Sequence, residues 1–262
     1  MRGHTAPIHS QREDTFTVDI YTFGPIAAVL DAAYGIVAGL QHALDPIAGG
    51  ASAALAIVII TLALRLLLIP VGASQVRAEF TRRRLAPRLQ ELQKKYKKNP
   101  ELLQKKMLEL YTSEKASPIA GVLPALAQAP VLFVVYGLFV LHTINGHANA
   151  LLQGHVLGAS LASSLMSGTV AWPGLIVFAV LLATIAVVAW LQRRTAQKIA
   201  AMDVASATDP TAKALSRWLS WLPFITVVFA AVVPLAATIY LAVTTTWTLV
   251  ERTIIRRALS AR

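Results

Sequence analysis

Five stretches of this chain, roughly 51–71, 118–141, 172–191, 217–233 and 234–251, are apolar over almost their whole length. A helix needs about 20 residues to cross the ~30 Å hydrocarbon core of a bilayer, so each stretch is read as a transmembrane helix. The last two are joined almost without a loop at Val233-Pro234, which reads as a tight helical hairpin. Pro118, Pro124 and Pro130 interrupt the second span. Neighbouring helices can satisfy the carbonyls that prolines free. At 56% hydrophobic and 14% charged residues, the chain is too apolar for an ordinary soluble domain. With no cysteine, disulfides, thiol catalysis, thiolate metal sites and a cysteine-linked lipid anchor are excluded. The sequence predicts an all-α polytopic membrane protein, a five-transmembrane-helix core over 51–251.

Basic residues set the orientation. Segment 72–117 holds twelve Lys/Arg, 192–217 holds five and the tail from 251 holds four, whereas loop 142–171 holds none. By the positive-inside tendency, 72–117, 192–217 and the 252–262 tail are cytoplasmic, and the N-terminus and loop 142–171 face outside. Trp172, Trp190, Trp218, Trp221 and Trp247 fall near span ends, where an aromatic belt would put them. Residues 1–24 are polar, lack the features of a signal peptide and are assigned no function.

One further apolar stretch, 25–48, is not counted as a span. At helical spacing, Tyr34, Gly35, Ala38, Gln41, His42 and Asp45 share one face, and Val29, Ala33, Ile36, Leu40, Leu44 and Ile47 lie opposite. Such a two-faced helix lies in the membrane interface on the extracytoplasmic side. The alternative, a sixth span, would put the N-terminus in the cytoplasm.

Segment 72–117 is the chain's basic part. Leu85, Leu89, Leu92 and Tyr96 recur at helical spacing, and Leu103, Met107 and Leu110 repeat the pattern after Asn99-Pro100. Asn99 is a good N-cap and Pro100 a good first helical residue. The pattern predicts a cytoplasmic antiparallel helical hairpin. Its charged positions, among them Arg82, Arg83, Arg84, Arg88, Lys94, Lys95, Lys97 and Lys98, suit anionic phospholipids or other anionic surfaces. The segment has no RNA-recognition signature, so sequence-specific nucleic-acid binding is not expected.

The run Lys115-Ala-Ser-Pro118-Ile-Ala-Gly121-Val-Leu-Pro124, followed by Gln128 and Pro130, with the hairpin before it, resembles the YidC/Oxa/Alb membrane-protein insertase family. TLALRLLLIP resembles that family's first core span with its groove arginine, and LPFITVVFAAVVPLAATIYLAVTTTWTLVERTIIRR resembles its closing hairpin. Ser117 stands where Asn is usual, and Thr244-Thr245-Thr246 where Ser-Asn is common. The likeness covers roughly 20–258 and is to the short bacterial form, without a large extracytoplasmic domain. It implies a plasma-membrane insertase and chaperone for nascent membrane proteins, acting without ATP, alone or with the Sec translocon. The ribosome is a further implied partner.

Arg65 lies inside the first span. A charge at the bilayer centre costs ~2.5–3.5 kcal/mol on insertion scales, and arginine does not escape by deprotonating. The other spans are read as containing no Asp or Glu, which leaves a hydrated pocket as the solution. Thr61, Gln128, Thr184, Thr226 and Thr238 supply uncharged polar groups to line it. An unpaired cation in such a groove is an anion receptor. The resemblance implies that it accepts acidic or polar parts of a client, whose apolar remainder slides along Phe178, Trp190, Tyr240 and Trp247. No cofactor or metal is expected. The outer-loop histidines His142, His147 and His155 read as solvated loop residues. Enzymatic activity is not expected, because no span carries a catalytic carboxylate pair or a zinc motif. The alternative is a small-solute transporter or channel, but the chain shows no internal repeat.

Overall fold

The computed structural model describes residues 23–117, 123–144, 146–168, 170–204 and 217–260. It is mostly helical, and its long helices are α1 (Gly24–Ala48), α2 (Ser52–Leu67), α3 (Ile69–Lys95), α4 (Pro100–Ser113), α5 (Leu123–Val140), α6 (Gly174–Val204), α7 (Leu222–Val232) and α8 (Leu235–Ser260). The stretches Gly24–Leu67 and Gly174–Lys198 are long and apolar enough to cross a membrane, and Gln128–Val140 and Arg217–Val232 are shorter apolar helices. The N-terminal extension up to residue 22 lies outside the described residues. So do Pro118 and Gly121 of the family-like motif and the segment 205–216.

Helix α8 is the hub, packing against α2, α3, α5, α6 and α7. Every residue from Leu235 to Tyr240 is buried, so the start of α8 is enclosed on all sides. Small residues make this possible: Ala236, Ala237 and Ala242 on α8 and Ala53 and Ala56 on α2 are buried. They let backbones approach closely where lipid offers no hydrophobic drive.

The loop after α5 seals one end of the bundle. It forms two minimal antiparallel hairpins, β1 (Thr143–Ile144) with β2 (His147–Ala148) and β3 (His155–Val156) with β4 (Ala159–Ser160). Asn149, buried in that loop, donates through Nδ2 to the carbonyls of Leu138 (2.8 Å) and Leu141 (2.9 Å) at the end of α5. Its Oδ1 accepts from the Leu151 N–H at 3.2 Å. The first N–H groups of a helix have no partner within it. Here Leu235 N–H donates to the Ser163 carbonyl (2.8 Å) and Ala236 N–H to the Leu161 carbonyl (3.0 Å).

Helix α1 carries three faces rather than the two that its sequence suggests. Leu30 and Val37 are buried and Tyr34, Leu40 and Leu44 pack beside them against the core. Asp31, His42 and Asp45 are exposed. Val29, Ile36 and Ile47, expected on the same apolar side as Leu40 and Leu44, are exposed as well. The tyrosine moves off the polar face because its hydroxyl accepts the Ala150 N–H (3.2 Å) from the loop after α5.

The basic arm begins earlier than its leucine spacing suggests. Helix α2 ends at Leu67, and after Leu68 alone α3 starts at Ile69 with Pro70 in its first turn, where a missing N–H costs nothing. Asn99 caps α4 as its sequence predicts, accepting the Leu102 N–H at 3.1 Å. Glu114, just past α4, bonds Arg84 (3.1 Å) and Arg88 on α3, so the two helices run antiparallel.

Candidate functional site

Arg65 sits in the last turn of α2 and is half-buried. Its Nε donates to Thr244 Oγ1 of α8 at 3.1 Å. A guanidinium has five N–H donors, and this is the one hydrogen bond Arg65 makes among the described residues. Its terminal nitrogens are not among the buried, unpaired polar atoms, so they keep some exposed surface. One edge of the group is anchored to α8 and the other is available.

The polar residues around it are mostly acceptors. Thr245, Thr246 and Thr248 donate to the carbonyls of Leu241 (2.7 Å), Ala242 (2.7 Å) and Thr244 (2.8 Å) of their own helix. Thr61, one turn before Arg65, is buried and donates to the Ile57 carbonyl at 2.6 Å. With their protons committed, these hydroxyls offer lone pairs, which suits a cation.

The other expected groove residues do not hydrogen-bond Arg65. Thr238 is buried and staples α7 to α8 through the carbonyls of Ala230 (2.8 Å) and Pro234 (3.2 Å). Thr184 is exposed and bonded to the Val180 carbonyl (2.8 Å), while Gln128 and Thr226 are half-buried. Thr244, the direct partner of Arg65, was not among the residues that the sequence picked out. Its signal was the threonine run at the family's Ser-Asn position.

The expectation that Arg65 has no carboxylate near it needs correction. Glu251, at the edge of the last span, turns inward and interacts electrostatically with Arg65, without an ion pair between them among the described residues. Its Oε2 accepts from Trp247 Nε1 at 2.9 Å, and its Oε1 is buried without a partner. The carboxylate occupies the space over Gly72 of α3, where an added Cβ would stand 1.9 Å from Oε1. A glycine on another helix makes that room, and no reading of α8 alone finds it.

The four expected slide residues do not form one surface. Phe178 and Tyr240 are in the core, with Tyr240 tilted against Phe139 at 5.9 Å between ring centroids. Trp190 is exposed under the Arg194 guanidinium at 3.6 Å, and Trp247 is tied to Glu251. Tyr240 instead floors a narrow crevice of about 60 Å³ between α5 and α7, beside Leu132, Tyr136 and Phe229.

On the basic arm, Arg82, Lys94, Lys95, Lys97 and Lys98 are exposed. Arg83 is bound to Glu79, and Arg84 and Arg88 are bound to Glu114. Three of the expected contact residues thus already hold the arm together.

Apolar helices of membrane length, gathered around α8 with a half-used arginine between α2 and α8, define a helical membrane protein. The chain belongs to the 60Kd inner membrane protein family, whose model matches residues 44–262. It is similar to the membrane protein insertase YidC of Clostridium perfringens, 36% identical over 115 residues that cover 44% of this chain and 48% of the relative. The YidC insertase of Chlamydia caviae is 40% identical over 84 residues, 32% of this chain and 11% of the relative. That of Francisella tularensis subsp. novicida is 40% identical over 82 residues, 31% of this chain and 15% of the relative. The matched stretch spans about half the length of the first relative and less of the other two.

Proposed function

We propose that this chain is a membrane-protein insertase of the bacterial plasma membrane. It integrates nascent segments and helps them fold, without ATP, alone or beside the Sec translocon. In this reading α2, α5, α6, α7 and α8 cross the bilayer as five spans, α1 lies in the outer interface, and the α3–α4 hairpin and the C-terminus are cytoplasmic. The ribosome and anionic phospholipids meet the chain on that side.

The observation that carries the proposal is Arg65 itself. Nε is pinned to Thr244 while the terminal nitrogens stay open, so the group is held in place and can still accept a client's carboxylate. Threonine acceptors and the nearby Glu251 stabilise the cation in a hydrated groove between visits. The apolar part of the client leaves along the lipid-facing sides of α5 and α7, where Leu132, Phe133, Ile225 and Val228 are exposed. Burial of those client residues in lipid supplies the driving force, at about 25 cal/mol per Å² of apolar surface.

The test is photocrosslinking from position 65 during translation of a single-span client with an acidic N-terminal segment. Crosslinks to the client are expected, and neutralising its acidic residues should abolish them. Integration by Arg65→Ala and Arg65→Lys at the wild-type rate, for acidic clients as well as neutral ones, would reject the receptor role.

A further inference from the structure

At the cytoplasmic ends of the apolar helices there is a cavity of about 360 Å³ that the insertase reading does not use. Its polar lining comes from three helices: Glu79 and Arg83 of α3, Gln192 and Thr195 of α6, and Arg252 and Arg256 of α8. Three arginines face one glutamate there, and that glutamate is already shared. Glu79 bonds Arg83 and also Arg256, at 3.0 Å. Arg256 Nε is buried without a partner. Arg252 is exposed and makes no hydrogen bond or ion pair among the described residues. The residues lining the cavity therefore carry an excess of two positive charges.

Its height along the bundle identifies the anion. The apolar run of α6 ends at Leu191, one residue before Gln192 lines the cavity, and that of α8 ends at Val250, between the lining residues Leu249 and Arg252. Trp190, Trp218 and Trp221 are exposed. Arg193 lies 3.7 Å over the Trp221 ring and Arg194 3.6 Å over that of Trp190. Tryptophans and arginines layered in this way mark the depth of lipid headgroups. Basic pockets between helices on the cytoplasmic side suit headgroup phosphates. Leu191, Leu222 and Val250, each next in sequence to a residue lining the cavity, are exposed and offer apolar surface to an acyl chain.

We infer that this cavity is a binding site for one anionic phospholipid, its phosphate held by Arg252 and Arg256 and its acyl chains lying on α6 and α7. The inference rests on the proposed membrane topology, and the site does not depend on Arg65 or on insertase activity.

Native mass spectrometry of the purified full chain, loaded with phosphatidylglycerol or phosphatidylcholine, tests it. One phosphatidylglycerol should be retained in preference to phosphatidylcholine. Arg252→Gln should weaken retention about five-fold, the worth of one arginine at an anionic surface, and Arg252→Lys should largely restore it. Lys105→Gln removes one exposed charge from α4 and should change retention less than Arg252→Gln does. Arg252 makes no internal bond, so its variants keep the fold. Equal retention of the two lipids, no effect of Arg252→Gln, or an equal loss in Lys105→Gln would each overturn the site. Displacement of phosphatidylglycerol by soluble glycerol phosphate at equal concentration would show a free-phosphate site and overturn the lipid assignment.

Discussion

Arg65 and Thr244 are 179 residues apart in the chain and 3.1 Å apart in space. That bond joins the last turn of α2 to the middle of α8, and it restricts the guanidinium to one orientation. A free arginine near a helix end would instead extend toward the interface.

Removing the anchor while keeping the charge separates orientation from electrostatics. Thr244→Val should slow integration of acidic clients by roughly ten- to a hundredfold, since a hydrogen bond to a charged group contributes ~1.5–3 kcal/mol and ~1.4 kcal/mol is a factor of ten. Thr244→Ser should stay near wild type. Reconstituted insertion with acidic and neutral clients measures the difference, and neutral clients should respond less.

Gly72 and Glu251 form a second testable pair. In Gly72→Ala the new methyl meets the Glu251 carboxylate, which must swing away and release the Trp247 indole. Indole fluorescence in a variant that keeps Trp247 alone should shift, and the thermal midpoint should fall. Combining Gly72→Ala with Glu251→Ala should relieve most of the cost, because the clash then has no second partner. A double-mutant cycle with no coupling would contradict the geometry.

Asn149 holds the loop after α5 to the end of that helix by two bonds and braces the loop itself by a third. Asn149→Ala leaves two carbonyls and one N–H short of a partner, at about 1–3 kcal/mol per buried group. The expected result is a clear drop in thermal midpoint in detergent, with faster amide exchange across residues 141–165.

Helix α4 should respond to pH through a pair exposed to solvent. The hydrogen bond from Lys106 holds the Glu109 carboxyl below its ordinary 4.5, and the same bond raises Lys106 above 10.5. A lowered carboxylate contributes stability above its unfolded value and loses it as pH falls through the folded one. A raised lysine contributes below 10.5 and loses it as pH climbs further. Amide protection in α4 should therefore be level between these limits and fall outside them. Glu109→Gln should flatten the acid side, and high salt should shrink the effect in the wild type.

Much of the architecture could be read from single helices. The Asn99 cap, the Val233-Pro234 break and the apolar runs depend on local spacing, and local spacing is what a sequence displays. The features that escaped it depend on two helices at once. Thr244 acquires meaning when α8 is laid against α2. Glu251 looks like a boundary residue until Gly72 opens room for it. Val29 and Ile36 fit one apolar stripe with Leu40 until Tyr34 bonds to a loop more than a hundred residues away. Phe178 and Tyr240 look suited to lipid because they are aromatic, and neighbouring helices bury them. Charge excess in the arm was plain from composition, but how much of it is spent on Glu79 and Glu114 was not.

The carbonyls of Leu161 and Ser163 receive the first N–H groups of α8, which imposes an order on the birth of the molecule. In the proposed topology those two residues are outside the cell, so they must be carried across before the hub helix can seat against them. Until then α8 has no cap at its enclosed end and the bundle has no centre. On the proposed function, a newly made copy would thus need the very service proposed for it, with an earlier copy as one candidate to supply it.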